Sequence, residues 1–193
     1  LLRRVSHIRV KNSMGIDPVP TITAMGPNFS AFWDYWNTLP KRECVPHLSA
    51  YLDSVPPDLQ PKVVLLDVSS PTEVTIRLTG TIVAEFVGEL TGTGAEDVYH
   101  GQARKMAIEC AWISATHPCG YAVTRTVSSK SGLLFNSQAL ILPLETDTVG
   151  SRTVVSFNER PPLDDRNGSH DRVDAVIEYP KPIWLDIGAG VPD

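Results

Sequence analysis

Cysteine is scarce in this chain: three residues in 193, Cys44, Cys110 and Cys119. An odd number at irregular spacing offers no disulfide framework and fits a reduced, intracellular setting. An excess of positive charge is also missing. Lys and Arg total 17 against 22 Asp and Glu, a net charge of -5 at pH 7, so no broad basic surface exists to neutralise a phosphate backbone and nucleic acid is not expected as a direct partner. No uninterrupted apolar run approaches the roughly 20 residues of a membrane-spanning helix, and the opening LLRRVSHIRVKNSMG lacks the apolar stretch of a signal peptide. These absences predict a cytoplasmic protein with no membrane segment. In that setting the sequons at Asn28 and Asn167 are chance matches. There is no internal repeat, and no acid, base and nucleophile set that would mark an enzyme.

What is present is enough apolar sequence, 42% of residues, for one core of ordinary size. Residues 1–27 carry Pro18, Pro20, Gly26 and Pro27 without a sustained period and read as an irregular arm. Phe29, Phe32, Trp33 and Trp36 then recur at helical spacing, with Pro40 to end the run. KVVLLDV at 62–68 and TEVTIRLTG at 72–80 read as a strand pair. TIVAEFVGEL places Ile82, Val83, Phe86 and Val87 on one helical face and stops at Gly88. QARKMAIECAWISATHP, residues 102–118, gives the longest helix, with Ala103, Met106, Ala107, Cys110, Ala111 and Ser114 forming a face of mostly small residues. Strands follow at 119–127, 133–142 and 152–158, closely enough spaced for an antiparallel meander. The fold class is therefore α+β: a five-stranded antiparallel sheet with helices gathered on one face, and a pocket between the small-faced helix and the sheet.

Three sharper motifs fail on context. The terminal WLDIGAGVPD contains the strand-plus-D-x-G-x-G that opens many S-adenosylmethionine sites, but with three residues after Gly190 to supply the helix and strands such a site needs, no cofactor site of that kind is expected. Trp184 and Ile187 are then expected to dock a tightly turning terminus. Cys44-x-x-His47 with His117-x-Cys119 has the donor set of zinc without the spacing of a finger, so no metal site is assigned. Glu96-Asp97 and Asp164-Asp165 lie in polar loops, where solvated charge is the default.

The element order, together with FWDYWNTL, VVLLDV, IRLTGTIVAEFVGELTG and LILPL, resembles the PAS domain superfamily over about residues 29–158. More narrowly it is similar to small, mostly single-domain PAS proteins of alphaproteobacteria, in which a tryptophan-bearing helix precedes the sheet and a strand ending in R-x-x-G-T opens the first helix. Those positions are Trp36, Arg77, Gly80 and Thr81 here. The resemblance implies an N-terminal arm (1–27), a PAS-like domain (28–158) and a C-terminal extension (159–193). It implies a non-catalytic sensory or regulatory module that binds a small molecule or a protein partner and acts as a homodimer, with output by contact; a filled, ligand-free scaffold is the alternative. Expected pocket residues are Ile82, Phe86, Met106, Cys110, Tyr121 and Leu140. Arg77 is expected to hold the strand-to-helix turn or an anion, and Phe32, Trp33 and Trp36 to form an interaction face. The N-C-R-F-L-Q stretch of flavin photosensors is absent, no cysteine shows activation for a thioether chromophore, and His100 and His117 flank the long helix without lying in it. The cofactor stays unknown.

Overall fold

The computed structural model describes residues 18–147, 152–160 and 172–192. Most of the N-terminal arm, Asp164-Asp165 and the Asn167 sequon lie outside them. The chain runs through α1 (Pro18–Met25), α2 (Pro27–Thr38), a two-residue strand pair β1 (Lys41–Arg42) and β2 (Val45–Pro46), α3 (Leu48–Ser54), β3 (Val63–Ser70), β4 (Glu73–Thr79), α4 (Thr81–Val87), α5 (Gly101–Thr116), β5 (Gly120–Ser129), β6 (Leu134–Leu144), β7 (Arg152–Asn158), β8 (Val173–Glu178) and β9 (Ile183–Leu185). The seven-stranded antiparallel sheet has the order β4-β3-β7-β6-β5-β8, with β9 also pairing β5.

Five of these strands, β3 to β7, are the ones the alternation predicts. The tail adds two more. β8 pairs with Thr126–Ser129 and β9 with Gly120–Ala122 of the same strand. Pro180 and Pro182 fall between them, where a ladder would need N–H groups that proline lacks. The Asp186 carboxylate then closes the WLDIGAG turn by accepting from the backbone N–H of Gly188 and Gly190, at 2.8 and 3.0 Å. Both glycines have positive φ, 117° and 84°, which explains the glycines without any cofactor. Trp184 packs edge-on to Tyr121, ring centroids 5.3 Å apart, and Ile187 packs against the outer core.

The sheet is apolar on both faces because helices cover both. On the inner face, α4 and α5 pack over Val68, Val74, Val123, Ile141 and Val154. On the outer face, α1 to α3 pack over Val63, Leu65, Leu140, Leu142, Val155 and Phe157. Phe29 and Phe32 meet the Phe157 ring at 5.2 Å edge-on and 4.8 Å stacked. The Trp36 indole N–H donates to the carbonyl of Pro143 at 3.3 Å, so the one polar atom of that side chain is satisfied on burial. The expectation of an irregular arm is corrected at residues 18–25, where α1 forms with its prolines in the first turn, a position that needs no intrahelical N–H bond.

Candidate ligand site

The R-x-x-G-T-opened segment sets the position of the inner layer. Gly80 donates its N–H to the carbonyl of Val63 at 2.8 Å, and α4 starts at once with Thr81. It ends at Gly88, whose φ of 92° turns the chain back. The following ELTG loop is stitched along β4: Ile76 donates to the Thr93 carbonyl (2.8 Å), Gly92 to the Ile76 carbonyl (2.7 Å), and Thr79 N–H to Thr91 Oγ1 (3.1 Å). A second loop is held by the tail, since Val176 N–H donates to the Val98 carbonyl and His100 N–H to the Val176 carbonyl. That pairing fixes Tyr99.

Between this layer and the sheet lies a two-lobed cavity. The larger lobe, about 70 Å³, is walled by Val83, Phe86 and Val87 of α4, Val127 of β5, and Val173 and Val176 of β8. The smaller, about 20 Å³, is bounded by Ala107 and Ala111 of α5, Ile141, and Tyr121 and Tyr179. Leu66, Ile76, Tyr99, Arg125 and Ser156 border both. The smaller lobe alone has room for a water.

Arg125 is the charged group between the lobes. It sits on β5 at the inward positions Tyr121, Val123, Arg125 and Val127, and is 9% exposed. Its Nη1 donates to the Tyr99 hydroxyl at 3.2 Å, and its Nη2 to Ser137 Oγ at 3.2 Å and Asn158 Oδ1 at 2.9 Å. Asn158 is itself oriented by donating to the Ser156 carbonyl at 2.9 Å. The Nε of Arg125 is buried without a hydrogen-bond partner. Among the described residues no carboxylate pairs with this guanidinium; the ion pairs formed are elsewhere. Tyr99, Tyr121 and Tyr179 cluster beside it, with the Tyr179 hydroxyl donating to that of Tyr121 at 3.3 Å and the Tyr99 and Tyr179 rings 5.9 Å apart. Burial drives the Tyr121 and Tyr179 hydroxyls up and pushes the nearby Cys110 thiol up to about 12. These groups stay protonated at neutral pH, so among the described residues the site offers neutral hydrogen-bonding groups and one cation, Arg125.

Of the pocket residues expected from sequence, Phe86 lines the larger lobe and Tyr121 the smaller. Ile82 and Met106 are half-buried against the inner core, and Cys110 is buried within it, but none of the three borders a lobe. Leu140 is corrected outright: it belongs to the outer core, paired with Ala122 and Phe157. Its neighbour Ile141 faces the cavity, because successive strand residues point to opposite faces. Arg77 lies away from the cavity and pairs with Asp67 across the hairpin at 3.1 Å, where Thr153 Oγ1 also donates to Asp67 at 2.9 Å. Phe32 and Trp36 are fully buried within the chain, so of the expected interaction face only Trp33 retains exposed surface. Sequence reasoning missed Arg125, Tyr99, Asn158 and Tyr179. For Arg125 a signal exists: a charge on an otherwise apolar alternating stripe. Among the described residues no group of three His, Cys, Asp or Glu side chains gathers as metal ligands.

The site lies under an antiparallel sheet covered on its inner face by one short helix, α4, and one long one, α5. The chain belongs to the PAS domain family, which matches residues 26–155. No curated protein and no solved structure matches it. The family match stops short of Ser156, Asn158, Val173, Val176 and Tyr179, so part of the cavity is built by sequence beyond it. Among the described residues no helix is long and apolar enough to cross a membrane.

Proposed function

We propose that this chain is a PAS sensory module whose inner cavity takes a small molecule, and that its occupancy is read by contact with a protein partner or a second copy. The observation that supports this is the unfilled two-lobed cavity. Protein interiors are packed nearly as densely as organic crystals, and Trp112 and Phe135, which have the bulk to fill this space, pack against the inner core without bordering either lobe. A mostly apolar cavity with a few convergent polar groups is the usual form of a small-molecule site. Its walls also suit signalling: α4 and β8 both border the larger lobe, and β8 is the last strand of the sheet with Ile177 on its exposed side. A ligand that binds better to one spacing of α4 and β8 shifts the population toward it. The reading includes a cytoplasmic setting and kinship with the small alphaproteobacterial PAS proteins.

Native and denaturing mass spectra of the protein purified from its own host test this reading. The expected result is a small molecule present in the native spectrum and lost on denaturation. An empty protein that is stable and dimeric in repeated preparations would overturn it in favour of a ligand-free scaffold.

A further inference from the structure

Among the described residues, Arg125 is a cation in the interior with only neutral acceptors around it. Tyr99, Ser137 and Asn158 fix the plane of its guanidinium, yet none carries a charge to offset the one they hold. Burying a charge without a counter-charge is among the most costly arrangements a protein adopts. Nε remains unpartnered, and the residue borders both lobes of the cavity. Resting on the cavity being a ligand site, we propose that its ligand is an apolar monocarboxylate whose carboxylate is held by Arg125.

The charge count selects a monoanion: one guanidinium and one carboxylate leave the interior neutral, whereas a phosphate dianion leaves a net negative charge in the same place. A guanidinium presents N–H groups in a planar fork that matches a carboxylate. The hydroxyls of Ser137, Ser156 and Tyr99 rotate and are able to donate to it as well. Beyond this polar centre the larger lobe, about 70 Å³, is lined by Val83, Phe86, Val87, Val127 and Val173, apolar walls that suit a short aliphatic tail.

The test uses the full chain, freed of any co-purifying molecule, and two matched sets of probes: acetate, butyrate, hexanoate, octanoate and benzoate, and the alcohols and primary amides of the same skeletons. Calorimetric titration and thermal shift read binding. At least one acid is expected to bind about ten- to a hundredfold tighter than its alcohol, the usual effect of a hydrogen bond to a charged group. Arg125→Gln is expected to bring that acid down to the level of its alcohol, and Arg125→Lys to keep part of the difference. Should Arg125→Gln not fold, the acid-against-alcohol comparison on the unaltered protein still decides. Alcohols or amides that bind as tightly as the acids would overturn the carboxylate assignment and leave the cavity a ligand site. Inorganic phosphate binding in preference to every acid would overturn it equally. No binding by any probe, with no co-purifying molecule, would overturn both readings together.

Discussion

Gly80 shows a motif residue fixed by space and not by conformation. Its φ of -64° is open to any residue. A Cβ there, however, would lie 2.5 Å from the Pro61 carbonyl oxygen and 2.8 Å from that of Val63, both backbone atoms with no side-chain freedom to retreat. The close approach is what lets the Gly80 N–H reach Val63 and start α4 against β3. Gly80→Ala is therefore expected to destabilise the fold by about 1–3 kcal/mol, the range for overpacked interiors, measured by urea unfolding; a loss near zero would mean the turn at Pro61 gives way freely. Arg77, three residues earlier in the same motif, contributes differently. It is about two-fifths exposed where it pairs with Asp67, and such a surface pair adds little stability.

At the scale of elements, α2 anchors the outer layer through Phe29, Phe32 and Trp36, one turn apart on a single face and all fully buried. Trp36→Ala removes the largest of these side chains and orphans the Pro143 carbonyl contact. The expected cost is about 3–5 kcal/mol, read as a lower urea midpoint with unchanged slope; a loss below about 1 kcal/mol would show that the layer collapses to fill the space. This helix was legible in the sequence because a 3.6-residue period survives in any context, and so were α4, α5 and the five strands with alternating or flanked patterns. The misses have physical causes. α3, LSAYLDS, buries only Leu48 and Tyr51 and is otherwise mixed with polar residues, so no helical stripe stands out in it. Leu140 and Ile141 lie in the run ALILPL, apolar throughout because helices cover both faces of β6, so its sequence carries no parity to read. β8 and β9 depend on which edge of β5 is open, a property of the assembled sheet. The Arg125 stripe was visible, but its neutral partners come from β6, β7 and the loop before α5, and only the fold brings them together.

At the scale of the whole molecule, the buried acids that stay protonated couple both layers to pH. Cys110 and Cys119 are pushed up to about 12 from an ordinary 9.0. The Tyr121 and Tyr179 hydroxyls of the inner face, and that of Tyr51 on the outer face, are raised from an ordinary 10.0. Desolvation is the first cause in every case; the Arg125 charge lowers Tyr179 only in part. For a group whose folded pKa exceeds its unfolded one, the folded state holds its proton longer. The stability it contributes is whole below the unfolded value and is lost as pH climbs through the folded one. Unfolding free energy should thus be insensitive to these groups up to the thiols' ordinary 9.0, fall as the unfolded thiols ionise, and fall more steeply once unfolded tyrosines follow near 10.0. Because the affected tyrosines sit on opposite faces of one sheet, both helical layers lose stability over the same range. If they form one cooperative unit, tyrosinate absorbance and far-ultraviolet circular dichroism will change together in a titration to about pH 11. A flat stability profile over that range would refute the assignment of these groups, whereas tyrosinate appearing well before the dichroism changes would mean that one layer opens without the other.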